Sequence, residues 1–80
     1  MLGIPNKIIT NLDLKRLGTR IEVARTKANL NQHNVAELTG LNRSYLCRLE
    51  RGHENISVVN LHKIAQALGT TMADLLRGLG

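Results

Sequence analysis

The chain has 80 residues, enough for one domain with a thin core, and Tyr45 is its only aromatic residue. Eleven lysines and arginines against six acidic residues give a formal net charge of +5 and a sequence pI near 10.2, which favours a polyanionic partner. No apolar stretch is long enough to span a membrane, and the lack of aromatic stacking residues argues against a single-stranded nucleic-acid partner.

Cysteine and histidine usage argues against a bound metal or cofactor. Cys47 is the single cysteine, so no internal disulfide can form, and His33, His53 and His62 show no paired metal-ligand spacing. Residues 1–10 lack the continuous apolar segment of a secretory signal. We therefore expect a cytoplasmic protein with no cofactor and no metal site.

The chain is predicted to consist of an N-terminal arm (residues 1–11), a folded domain (12–77) and a short tail (78–80). Thr10 and Asp13 have the spacing of a capping box, which predicts a first helix that runs to about Lys27. Its expected apolar face consists of Leu14, Leu17, Ile21, Ala24 and Ala28.

Residues 32–51 have the pattern of two short helices joined by a tight turn. Asn31 is a suitable N-cap for the first of these helices, whose apolar residues are Val35 and Leu38. Gly40 supplies the left-handed backbone conformation that a tight turn requires. The segment therefore predicts a helix-turn-helix.

The second helix of this pair is predicted from Arg43 to Arg51, with Asn42 as its N-cap and a stop at Gly52. Two further helices follow: one capped by Ser57, and one from Met72 to about Arg77 in which Thr71 and Asp74 repeat the capping-box spacing. The expected apolar stripe of the fourth helix is Val58, Leu61, Ile64, Ala65 and Leu68. The fold class predicted is all-α, a compact five-helix domain with a central helix-turn-helix.

The motifs of this segment resemble those of the phage-repressor and Cro type (XRE-like) helix-turn-helix family. They are Leu30-Asn31-Gln32, Ala36 and Gly40, Ser44-Tyr45-Leu46, and Arg48-Leu49-Glu50-Arg51-Gly52. The resemblance extends over nearly all of residues 13–76 and implies a lambda-repressor-like DNA-binding domain.

A closer resemblance is to the controller proteins of restriction–modification systems. It rests on Gly40-Leu41-Asn42-Arg43 and on Asn55-Ile56-Ser57. Two departures matter. Thr39 precedes the turn glycine, where the broad family prefers an apolar residue although the controller group tolerates a small polar one, and Glu54 stands where controllers usually carry a basic residue. Short repressors of phages and mobile elements share most of the same motifs.

The resemblance implies that the helix after the turn enters the major groove of double-stranded DNA. We expect Arg43, Ser44 and Arg48 to read base edges, because arginine can bind guanine O6 and N7 together. The alternative for each arginine is a solvated side chain or a contact with phosphate alone. The predicted phosphate-binding residues are Gln32, Asn42, Asn55, Ser57 and Arg51.

The resemblance also implies an ion pair between Glu50 and Arg25 that supports the fold. A module this small has few base contacts, so we expect a homodimer that reads a palindromic operator. Surplus apolar residues near the C-terminus predict its interface, namely Met72, Leu75, Leu76 and Leu79. At least one of these is expected to complete the core of the monomer instead.

The leading hypothesis is thus a sequence-specific transcriptional regulator of double-stranded DNA, with control of a restriction–modification operon as its setting. Controllers can activate at one operator and repress at another. The alternatives are a phage or mobile-element repressor, and an antitoxin that binds both a toxin protein and its own promoter. An enzyme is not expected, since the sequence contains no triad pattern, glycine-rich phosphate loop or metal-ligand set.

Overall fold

The computed structural model describes residues 10–79, and within them the chain forms five α-helices and no strand. In chain order the helices are α1 (Asn11–Lys27), α2 (Gln32–Thr39), α3 (Arg43–Glu50), α4 (Val58–Leu68) and α5 (Met72–Leu76). The predicted all-α domain with a central helix-turn-helix is confirmed. No helix in this part of the chain is long and apolar enough to cross a membrane.

Part of the predicted arm belongs to the helical domain. Thr10 is the N-cap of α1 and Asn11 is its first residue, so the predicted arm, residues 1–11, overlaps the start of this helix. The remainder of the arm, residues 1–9, lies outside the described residues, as does Gly80 of the predicted tail.

Side-chain caps fix where each helix starts, as the sequence predicted. Thr10 and Asp13 form the complete capping box, in which each residue's side chain accepts a hydrogen bond of 3.1 Å from the other's backbone N–H. The other helices begin at the predicted caps Asn31, Asn42, Ser57 and Thr71. At α5 only the threonine half of the box forms, and the Asp74 carboxylate pairs with Arg77 instead.

The five helices enclose one apolar core. α3 packs on α1 and α2, α2 packs on α4, and α5 closes the domain against α1 and α4. The buried apolar side chains are Leu17, Ile21, Val35, Leu46, Leu49, Leu61, Ile64, Ala65, Leu68 and Leu75. Because the core takes residues from every helix, the position of α3 depends on the whole domain.

Three residues of the predicted apolar faces are exposed instead of buried. Leu38 is exposed, because the buried face of α2 continues from Val35 to Thr39 at the four-residue spacing. Val58 is also exposed at the first position of α4, and Ala28 is exposed as the C-cap of α1. Thr39 remains compatible with its half-buried position because its hydroxyl donates to the Val35 carbonyl at 2.7 Å.

The C-terminal end of α3 packs closely against α1 at Gly18. A Cβ on Gly18 would lie 2.5 Å from the backbone carbonyl oxygens of Leu49 and Glu50. Glycine in the middle of a helix normally weakens it, so its presence here is explained by the approach of α3. The end of α3 is thus fixed directly on the backbone of α1.

Candidate nucleic-acid interface

The exposed face of α3 carries the polar residues predicted to read DNA. Arg43 and Ser44 form its first turn, and Arg48 lies four residues after Ser44 on the same side of the helix. All three are exposed, whereas Leu46 and Leu49 on the opposite face are buried. The leucines therefore anchor the helix while the polar residues face outward.

Arg43 lies beside the start of α2. It lines a shallow cleft together with Arg25, Asn31, Gln32 and His33. Within residues 10–79 no acidic side chain pairs with Arg43. Its charge is thus available to an external anion or to a base edge.

The beginning of α2 offers backbone donors to the same cleft. The first N–H groups of any helix have no partner inside it, and the positive end of the helix dipole attracts anions. The side-chain amide of Gln32, however, already has a partner within the protein, because it donates to Oε1 of Glu50 at 3.0 Å. The predicted phosphate contact at Gln32 therefore falls mainly to its backbone N–H group.

A largely buried ion pair connects α3 to α1 on the side away from the exposed polar face. Arg25 donates from Nε to Glu50 Oε2 at 2.7 Å and from Nη2 to Oε1 at 3.0 Å. The side chains are only 15% and 6% exposed, and Arg25 also donates to the Leu30 carbonyl at 3.0 Å. Hydrogen bonding to Glu50 raises the pKa of Arg25 above its ordinary value, although burial opposes this. The pair that the resemblance implied is thus brought together, and it joins α1, α2 and α3.

The other end of the exposed face contains an ion pair that sequence reasoning missed. Arg48 Nε donates to Oε2 of Glu54, in the loop after α3, at 2.7 Å. The two side chains are 50% and 30% exposed, so the pair lies at the surface beside the predicted reading residues. No helical spacing indicates a contact between a helix and a loop six residues later.

The remaining predicted phosphate contacts are distributed around α3. The Asn42 side-chain oxygen caps α3 by accepting from the N–H groups of Ser44 and Tyr45, and among residues 10–79 no acceptor binds its amide N–H groups. Ser57 caps α4 with its hydroxyl oxygen, and Asn55 is exposed while its carbonyl accepts from the Tyr45 hydroxyl at 3.2 Å. The last of the set, Arg51, is also exposed.

The predicted dimer interface needs one correction. Leu75 is only 3% exposed and belongs to the core of the single domain, so it is not available to a second copy. Met72 and Leu79 are half-buried against the same core, and Leu76 is 41% exposed. Leu75 points inward because α5 is a single short helix whose buried face must close the domain against α1 and α4.

Comparison with known proteins agrees with this geometry. A helix-turn-helix family model matches residues 21–75. Control protein C.MunI of a Mycoplasma species is 38% identical over 65 residues, 79% of this chain and 88% of that protein. Control protein C.SmaI of Serratia marcescens is 33% identical over 78 residues, 96% of this chain and 93% of that protein.

Solved structures give the same result. The crystal structure of the restriction–modification controller protein C.AhdI from Aeromonas hydrophila matches with a TM-score of 0.78 at 42% sequence identity. The match covers 80% of this chain and 97% of that one. The chain therefore belongs to the helix-turn-helix family of DNA-binding transcriptional regulators and is homologous to restriction–modification controller proteins.

Proposed function

We propose that the chain acts as a homodimer on a palindromic operator and controls the transcription of a restriction–modification operon. The observation that carries this proposal is the outward face of α3, on which Arg43, Ser44 and Arg48 stand above a leucine anchor. The names of similar proteins support the biological setting. The protein would act by binding rather than by catalysis, in the cytoplasm where its DNA is found.

In the proposed complex α3 enters the major groove, and its first turn faces the bases. Arg43 would form a bidentate contact with guanine, and Ser44 would add a single hydrogen bond. The free N–H groups at the start of α2 and the side chains of Asn42, Asn55, Ser57 and Arg51 would bind phosphates on either side. Each half of the dimer would read one half-site, with the two half-sites about 34 Å apart.

The experiment is selection of bound sequences from a random pool of DNA duplexes. The expected result is an inverted repeat with guanine at a fixed position in each half, and affinity that falls steeply as salt releases counterions. Arg43→Ala should remove the preference for that guanine, a loss of about 1–3 kcal/mol per contact, while binding to random duplexes changes little. Arg16→Ala, which removes the same charge from an exposed position of α1, serves as the matched control. Selection without any enriched motif would contradict the proposal.

A further inference from the structure

The contact between Arg48 and Glu54 restricts one arginine of the recognition face. Glu54 accepts from Nε of Arg48 at 2.7 Å, while half of the Arg48 side chain remains exposed. No other described residue accepts a hydrogen bond from the Arg48 side chain. The carboxylate therefore holds the guanidinium by its inner edge and leaves the two terminal nitrogens open.

This arrangement matters because arginine is long and flexible. Its guanidinium is a planar fork with five N–H donors, and a bidentate contact requires that the plane has the correct orientation. A carboxylate on Nε sets that orientation before DNA arrives. The Arg48 guanidinium is thus already ordered in the free protein, so DNA binding does not bear the entropic cost of ordering it.

The charge of Glu54 also selects among partners for Arg48. A carboxylate next to the guanidinium repels a phosphate group, whereas the guanine edge offers two neutral acceptors, O6 and N7. Arg51, three residues later and also exposed, has no acidic partner among residues 10–79 and lacks this restriction. The two arginines therefore differ: Arg51 suits the DNA backbone and Arg48 suits a base.

We infer that Glu54 is a specificity-determining positioning residue, which orients Arg48 toward one guanine of the operator and disfavours its use on phosphate. Glu54 acts through Arg48 and does not itself contact that guanine. The inference rests on the proposed DNA-binding function and adds to it a role for an acidic residue on a face that binds an anion.

The test compares Glu54→Gln, Glu54→Ala and Arg48→Ala on the duplex selected by the wild-type protein. Affinity is measured for that duplex, for duplexes with each base pair replaced in turn, and for a random duplex. Glu37→Gln is the matched control, because it removes the same charge from an exposed acid of α2 whose one ion pair among residues 10–79 is with His33. Thermal unfolding of each variant shows that it is folded.

One base pair should lose its discrimination in both Glu54 variants, and it should be the pair affected by Arg48→Ala. An arginine–guanine contact discriminates by roughly 5- to 150-fold. We expect Glu54→Ala to reduce this by about fivefold, and Glu54→Gln by about twofold, since the amide keeps a weaker acceptor for Nε. Binding to the random duplex should rise in both variants, as in Glu37→Gln, because a negative charge is removed.

Three results would overturn the inference. They are unchanged discrimination in Glu54→Ala, a loss of affinity that is equal on every duplex, and a loss at a base pair that Arg48→Ala leaves intact. Arg48→Ala combined with Glu54→Gln should discriminate no worse than Arg48→Ala alone. A wild-type protein that selects no motif would instead refute the proposed function, so the two failures are distinguishable.

Discussion

The substitution Glu50→Gln tests how much the ion pair between Arg25 and Glu50 contributes to the stability of the domain. In the wild-type protein one carboxylate oxygen accepts from Nε of Arg25, and the other accepts from both Nη2 of Arg25 and the Gln32 amide. An amide has only one acceptor oxygen. Whichever way it is turned, its NH2 group therefore faces an N–H donor of Arg25 across a contact of 2.7 or 3.0 Å.

The expected loss of stability follows from burial. The side chains of Arg25 and Glu50 are 15% and 6% exposed, so the unpaired guanidinium cannot be fully hydrated. Removing one partner of a buried pair costs about 3–5 kcal/mol. Arg25 keeps its hydrogen bond to the Leu30 carbonyl, so we expect the low end, about 3 kcal/mol. For a domain of this size that corresponds to a fall in Tm of about 12–24 °C.

Thermal unfolding followed by circular dichroism measures this fall. Asp74→Asn is the matched control, since it makes the same carboxylate-to-amide change in a pair whose side chains are 75% and 51% exposed. Exposed pairs contribute about 0–1 kcal/mol, so the control should lower Tm by only a few degrees. A Glu50→Gln variant that unfolds within a few degrees of this control would refute the argument from burial.

Three further predictions concern packing, pH and assembly. Gly18→Ala should lower the free energy of unfolding by about 1–3 kcal/mol in urea titrations, because its Cβ would meet two backbone carbonyls 2.5 Å away. The control Thr19→Ala, at an exposed position of the same helix, should change this free energy little. Equal values for the two variants would contradict the close contact at Gly18. The pKa of Arg25 is raised, so the stability that its charge contributes is present below the unfolded pKa and is lost only as the pH rises through the folded pKa. Calorimetry should therefore give the same difference in free energy of unfolding between wild type and Arg25→Met from about pH 7 to about pH 10. A difference that shrinks over this range would contradict the reasoning. Leu76→Glu should weaken the proposed homodimer at least about tenfold in sedimentation experiments, since burial of a leucine contributes about 1.5–3 kcal/mol. The control Leu12→Glu, at an exposed position of α1, should leave the dimer affinity unchanged. Equal effects of the two substitutions would place the interface elsewhere.

The helix starts were predictable from the sequence because each depends on a local contact. A capping side chain bonds to an N–H group two or three residues later, so Thr10, Asn31 and Ser57 could be identified by spacing alone. The apolar pattern was less reliable where a helix is short. In α2, eight residues long, periodicity favoured Leu38 over Thr39, but when α2 packs on α3 and α4 it is Thr39 that is half-buried and Leu38 that is exposed.

The contacts that shape the candidate interface are not local, and the sequence contains little signal for them. The Gln32 amide turns toward Glu50, eighteen residues away, although its position at a helix start is typical of phosphate binding. Leu75 looked like a surplus apolar residue because a five-residue helix shows too little periodicity to separate its buried face from its exposed one. Such choices follow from the packing of whole helices, which spacing along the chain does not describe.

Glu50, the last residue of α3, and Glu54, in the loop after it, each pair with an arginine close to the candidate interface. Lysines and arginines that all faced DNA unpaired would strengthen binding to every duplex alike, since attraction to phosphate contains no sequence information. Glu50 neutralises Arg25 behind α3, and Glu54 pairs with Arg48 at its edge. Among residues 10–79 Arg43, in the first turn of α3, has no acidic partner, and in the proposed complex its charge would act next to the bases. Selectivity is the ratio of specific to non-specific affinity, so a general attraction that acts on every duplex alike leaves this ratio unchanged, and only contacts that differ from one base pair to another can raise it.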